Sequence, residues 1–107
     1  MEMIYTTTPT IEGSPIREYK GIVSSEIILG TTCKDDFHAS WDALFGDRSE
    51  SYEEVMAQGR QEALDDIGRQ AEELGANAIV GIDIDYETIG PHNTMMMVAV
   101  TGTAVVI

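Results

Sequence analysis

Three short stretches of this 107-residue chain carry side chains whose types and spacing could do chemistry. The first, "TTCKDDFH", places Cys33, Asp35, Asp36 and His38 within one or two turns of an expected helix start. Thiolate, carboxylate and imidazole are all competent zinc ligands. Against a metal role, Cys33 and His38 stand five residues apart and would not share a helix face. Asp35 and Asp36 are also ordinary first-turn residues, favoured by the helix dipole. The structural role is therefore the stronger reading. The second stretch holds Met95 and Met97, a Met-x-Met pair on one face of an expected strand. Thioethers suit copper(I), and alternate strand residues lie about 7 Å apart, within the reach of long side chains. Methionine is equally a routine filler of irregular apolar gaps, and packing is the plainer account. The third is a comb of acids, Asp83, Asp85 and Glu87. Its ~7 Å repeat is too wide for one ion held at about 2.3–2.6 Å per oxygen, unless the side chains bend together or a neighbouring strand or a ring of subunits contributes. A solvated sheet face explains the comb without any ion.

Catalytic signatures are missing. The two histidines, His38 and His92, accompany no nucleophile elbow, and Gly75, Gly81 and Gly90 are too scattered to form a phosphate-cradling loop. Carboxylates are plentiful, but no pair is set apart as acid and base. The sequence therefore predicts a protein that is not an enzyme. Soft-metal transfer loops pair two thiolates in Cys-x-x-Cys, whereas Cys33 is the only cysteine. The cofactor expectation stays open, with a divalent or soft metal ion as the chemistry these residues could serve.

Charge narrows the field further. Nineteen acidic residues against six basic ones give a net charge of -13, with a pI near 4.2. Such a surface repels the phosphates of nucleic acid and of anionic membranes. It attracts cations and basic partners, so an acidic interaction or scaffold module is the alternative reading. One cysteine excludes an intrachain disulfide, and no run approaches the roughly 18 apolar residues of a membrane span. No basic-then-apolar leader pattern opens the chain. The expected setting is cytoplasmic, and the length suits a single domain over residues 1–107.

The elements that must position these groups follow from periodicity. Met3 to Thr8 reads as a first strand, and Tyr19 to Leu29 as a second, with Val23, Ile27 and Leu29 on one face and Ser24 and Glu26 on the other. Phe37, Trp41, Leu44 and Phe45 recur at helical spacing and predict a short helix, capped by Thr32 and stopped at Gly46. Ser51 to Gly75 predicts a long helix. Ser51 and Glu54 have capping-box spacing, and Met56, Ala63, Leu64, Ile67, Ala71 and Leu74 form an apolar stripe. Gly59 and Gly68 inside it suggest close approach of another backbone. Ala78 to Ile89 predicts a third strand, with Val80, Ile82, Ile84 and Tyr86 on one face and the acid comb on the other. An antiparallel hairpin into the last strand follows. The order predicts an α+β fold, an antiparallel sheet packed on the long helix plus the short one.

The last strand, within "NTMMMVAVTGTAVVI", is apolar on both faces. Met96, Val98, Val100, Ala104 and Val106 alternate with Met95, Met97, Ala99 and Val105. One helix stripe covers one face and leaves nothing for the other. Each such side chain is worth roughly 1.5–3 kcal/mol when buried, and soluble monomers rarely expose so large a patch. A second copy of the chain is the expected cover.

"TTTPTIEG", "EYKGIVSSEIILG", "LGANAIVGIDIDYETIG" and "MMMVAVTGTAVVI" together resemble the YbjQ-like family of small bacterial proteins of unknown role, labelled for heavy-metal binding. The likeness runs from Thr6 to Val105 and takes in "RSESYEE" before the long helix. It implies a dodecin-subunit-like fold assembled as a homopentameric ring, with a metal ion or small ligand at subunit interfaces. For a dodecin-like flavin store, the sole tryptophan, Trp41, sits on an expected helix rather than on a strand.

Overall fold

The computed structural model describes residues 2–29, 49–91 and 95–107. The predicted short helix around Phe37 to Phe45, with Cys33, Asp35 and His38, lies outside the described residues, as does His92. The elements in chain order are β1 (Ile4–Tyr5), β2 (Glu18–Leu29), α1 (Ser49–Glu73), β3 (Ala78–Ile89) and β4 (Met95–Val106). They build one four-stranded sheet in the order β1-β3-β4-β2, with α1 laid across one face.

The helix buries Ala63, Ile67 and Ala71 against Val23, Ile79, Ile82, Val98, Val100 and Ala104. Small residues at two of these three helix positions let the backbone approach the sheet. Leu74, expected in the stripe, is instead 43% exposed, because it lies past the last turn. That end closes as a Schellman motif: the Ala76 N–H donates to the Ala71 carbonyl and the Gly75 N–H to that of Glu72, with Gly75 at φ +83°. At the other end α1 begins at Ser49, so Ser51 lies inside the helix and is not its cap. Gly59 and Gly68 are indeed points of close approach, but to side chains. Leu29 and Val98 press on Gly59, and the Tyr5 hydroxyl on Gly68.

The sheet is mixed, which corrects the antiparallel expectation. β2–β4 and β3–β4 are antiparallel, while β1 runs parallel to β3. β1 is also shorter than Met3–Thr8, although its chain keeps hydrogen-bonding along β3: the Gly81 N–H donates to the Thr8 carbonyl and the Ile82 N–H to that of Thr6.

A second correction concerns the faces of β3. Pairing with β4 is interrupted between Val80 and Asp83 by a bulge, where Gly81 has φ +61°. The extra residue reverses the alternation. Ile79 and Ile82 both face α1, whereas Ala78 and Val80 face away. Val80 therefore does not share the face of Ile82 and Ile84. Ile79 and Ile82 together crowd Gly102 on β4, where an added Cβ would come within 2.6 Å of Ile79 and 3.1 Å of Ile82.

The far face is also not wholly bare. Ala78, Val80 and Val105 are buried beneath Ile11, Ile16 and Ile107, so the chain's own segment before β2 covers one end of it. The Arg17 N–H donates to the Val106 carbonyl, and the Asn77 side chain donates to the Ile107 carbonyl and accepts from its N–H. The expectation that nothing in the chain could cover this side fails at Val105, and the short helix that could cover the remainder of β4 lies outside the described residues.

Candidate functional site on the open sheet face

Beyond Val105 the far face is open among the described residues, and register fixes its composition. Three ranks cross the sheet: Asp83, Thr101 and Ser24; Asp85, Ala99 and Glu26; Glu87, Met97 and Ile28. Adjacent strands lie about 4.8 Å apart, so Asp85 and Glu26 flank the small Ala99 side chain. The comb stands beside Ala99 and not Val98, which settles the hairpin register. Asp83, Asp85 and Glu87 are all exposed, as the alternation predicted, because the bulge precedes all three and leaves them in phase with one another.

The Asp85 carboxyl is held above its usual range. A hydrogen bond with Asp83 is the largest cause, followed by repulsion from the Asp83 charge, partial desolvation and repulsion from Glu87. Two carboxyls can share a hydrogen bond only if one carries a proton. This face therefore takes up protons more readily than isolated aspartates would. The ion pairs among the described residues, Lys20 with Glu18 and Arg69 with Asp66, do not involve the comb.

Among the described residues, no three His, Cys, Asp or Glu side chains gather in a metal-holding group. The Asp83 and Asp85 carboxyls offer hard oxygen donors, which suit hard cations and not soft heavy metals. Met95 and Met97 share the far face of β4 at partial burial, but the Met95 side chain packs over Gly90. Neither set fits a soft metal within one copy.

Sequence reasoning missed the apolar members of this face. Ile22 is 82% exposed, Tyr19 71% and Ile28 48%. The signal was present in β2, where Ile22 and Ile28 alternate in phase with Ser24 and Glu26, but the inward row of Val23, Ile27 and Leu29 drew the reading. Gln70 was also missed: from α1 it reaches the sheet edge, accepting from the Ser24 N–H at 3.2 Å and donating to the Ser24 carbonyl at 2.8 Å. No helix among the described residues is long and apolar enough to cross a membrane.

Comparison with known proteins agrees with this architecture. The chain matches over residues 3–107 a family described as "Putative heavy-metal-binding". A "UPF0145 protein" of Caulobacter vibrioides is 49% identical over 105 residues, spanning 98% of this chain and all of that one. A protein of the same name from Listeria grayi is 50% identical over 105 residues, spanning 98% of this chain and 99% of that one. A crystal structure from Pediococcus pentosaceus, of a DUF74-family protein of unknown function, superimposes with a TM-score of 0.61. It is 22% identical and covers 98% of this chain and 97% of that chain, and it supports the fold alone. With the family match running almost end to end and two relatives near half identity, the chain belongs to the YbjQ family.

Proposed function

We propose that this protein is a non-catalytic, cytoplasmic protein that works as a ring of five copies and holds a small ligand or metal cation where copies meet. The observation that carries the reading is the face of the sheet opposite α1: on β2, Tyr19 and Ile22 stand exposed opposite Val105 and Thr103, and Ile28 opposite Met97, with Ser24 and Glu26 between Ile22 and Ile28. An isoleucine 82% exposed on a regular strand is a residue awaiting cover. The ring of five comes from the family likeness, and the ligand's place from the poor fit of the described residues of one copy to a soft metal. Asp83, Asp85 and Glu87 present carboxylate oxygens on this face, and in this reading a neighbouring copy supplies the further ligands a cation needs.

The test is a mass measurement in dilute buffer, followed by titration with zinc, copper(I) and cadmium under reducing conditions. The expected species has about five times the 11.7 kDa chain mass and binds metal more tightly than about millimolar, near −4 kcal/mol. A lone 11.7 kDa species rejects the ring. A ring that binds no metal leaves the second reading, an acidic module that recruits a basic partner. That reading draws on Glu26, Asp83, Asp85 and Glu87 lying on one open face, and it predicts association that weakens as salt rises.

A further inference from the structure

We infer that copies join head to tail through the two open edges of the sheet, the β2 edge of one copy adding in parallel to the β3 edge of the next; this rests on the assembly proposed above. The first edge is located by Gln70. Its amide bonds both the N–H and the carbonyl of Ser24 from outside the sheet, so the Ser24 backbone points away from β4. By the two-residue repeat of a strand, so do those of Glu26 and Ile28. The second edge is located by β1. The Ile82 N–H donates to Thr6, away from β4, so the backbones of Ile84, Tyr86 and Thr88 point the same way. β1 ends before reaching them, since it pairs only with Ala78 and Ile79. None of these outward groups has a backbone partner among the described residues.

Two rows of amides and carbonyls without backbone partners among the described residues, on opposite sides of one sheet, suit the two halves of a single interface. β2 and β3 both run antiparallel to β4, hence parallel to each other. Copies related by rotation about an axis along the strands thus set them side by side in parallel. Such a contact uses different surfaces on its two partners, the kind that builds a ring when its rotation closes. Gln70 marks where pairing along β2 stops, at Ser24. The seam also brings charge together: Glu26 of one copy comes about one strand spacing, ~4.8 Å, from the acid-bearing stretch of the next copy's β3. Like charges across the seam make association tighten as salt rises, opposite to a complex held by a basic partner.

Glu26→Pro and Thr88→Pro each delete one outward N–H and no bond to β4, which edge strands tolerate. Each variant, confirmed folded by circular dichroism and thermal melting, is expected to run as a monomer where the wild type is assembled. Mixed together they should form a one-to-one complex, because each retains the edge the other lacks. An assembly left intact by Glu26→Pro overturns the inference but not the ring, and a Thr88→Pro dimer overturns it in favour of β2 pairing with β2. Should either variant fail to fold, hydrogen exchange on the assembled wild type decides. The amides of Glu26, Ile28, Tyr86 and Thr88 are expected to exchange about tenfold or more slowly than in the dissociated chain, and equal rates refute the seam. A wild type that is monomeric throughout refutes both this and the proposed function.

Discussion

Replacing Gly81 by alanine tests the bulge that sets which way β3 presents its acids. Nothing lies within 4 Å of the Cβ that would be added at this position, so the substitution introduces no clash and reports on the backbone alone. With φ at +61°, an L-residue here costs roughly 1–2 kcal/mol. The unfolded chain loses entropy on the same change, offsetting about 0.4–1 kcal/mol. The net destabilisation expected is about 0.5–1.5 kcal/mol. For 107 residues, at roughly 2.1 cal/mol/K of unfolding entropy per residue, that is a fall in Tm of about 2–7 °C. Gly81→Asn, which accepts the left-handed conformation more readily than alanine does, should recover part of the loss. The assay is thermal unfolding by circular dichroism, with the mass distribution held constant by working at one protein concentration. An alanine variant as stable as wild type, with asparagine no better, would refute a left-handed Gly81. It would also remove the physical cause given for Val80 and Ile82 lying on opposite faces.

The remaining predictions concern neighbouring features. Gly102→Ala forces a Cβ against Ile79 and Ile82 and should destabilise by about 1–3 kcal/mol, measured by urea unfolding; a neutral effect would mean the bulge does not crowd this point. Ser25 is 7% exposed and its hydroxyl has no hydrogen-bond partner among the described residues, so Ser25→Ala should stabilise by about 1 kcal/mol, and a loss of stability would contradict that. Asp85 holds its proton more tightly in the folded chain than an ordinary aspartate does, first through its hydrogen bond with Asp83. Folded protein then binds more protons than unfolded between the two pKa values, so stability rises as pH falls through that window. Asp83→Asn, which removes the largest cause of the shift, should flatten that rise in a Tm-against-pH series. Tyr5 has its pKa raised above 10.0, first by desolvation and then by Asp65 and Glu72. Stability should therefore fall as pH rises past 10, and Tyr5→Phe should lessen that fall.

Periodicity alone was enough to place the long helix, the third and fourth strands and the hairpin between them, because each signal depends only on which residues share a face of a regular element. The Gly75 cap was legible for the same reason, since one residue with positive φ ends a helix wherever the helix packs. The two-sided character of β4 and the outward acids of β3 were also written in the residues. Which candidate could hold a metal was not, because the spacing of Met95 and Met97 does not say that Met95 turns onto Gly90.

Tertiary structure decided what local pattern cannot carry. A bulge is one extra residue opposite a partner strand, so it exists only once β3 and β4 are paired, and it moved Val80 to the face opposite Ile82. The parallel run of β1 depends on where the chain before β2 returns to the sheet, as does the cover that Ile11 and Ile16 give Val105. Among the described residues the edge at Glu26 is open because the strand order ends at β2, and that at Thr88 because β1 stops short along β3, and both are properties of the whole sheet. Side-chain alternation is local, whereas the choice of neighbour for each backbone edge is made between segments tens of residues apart.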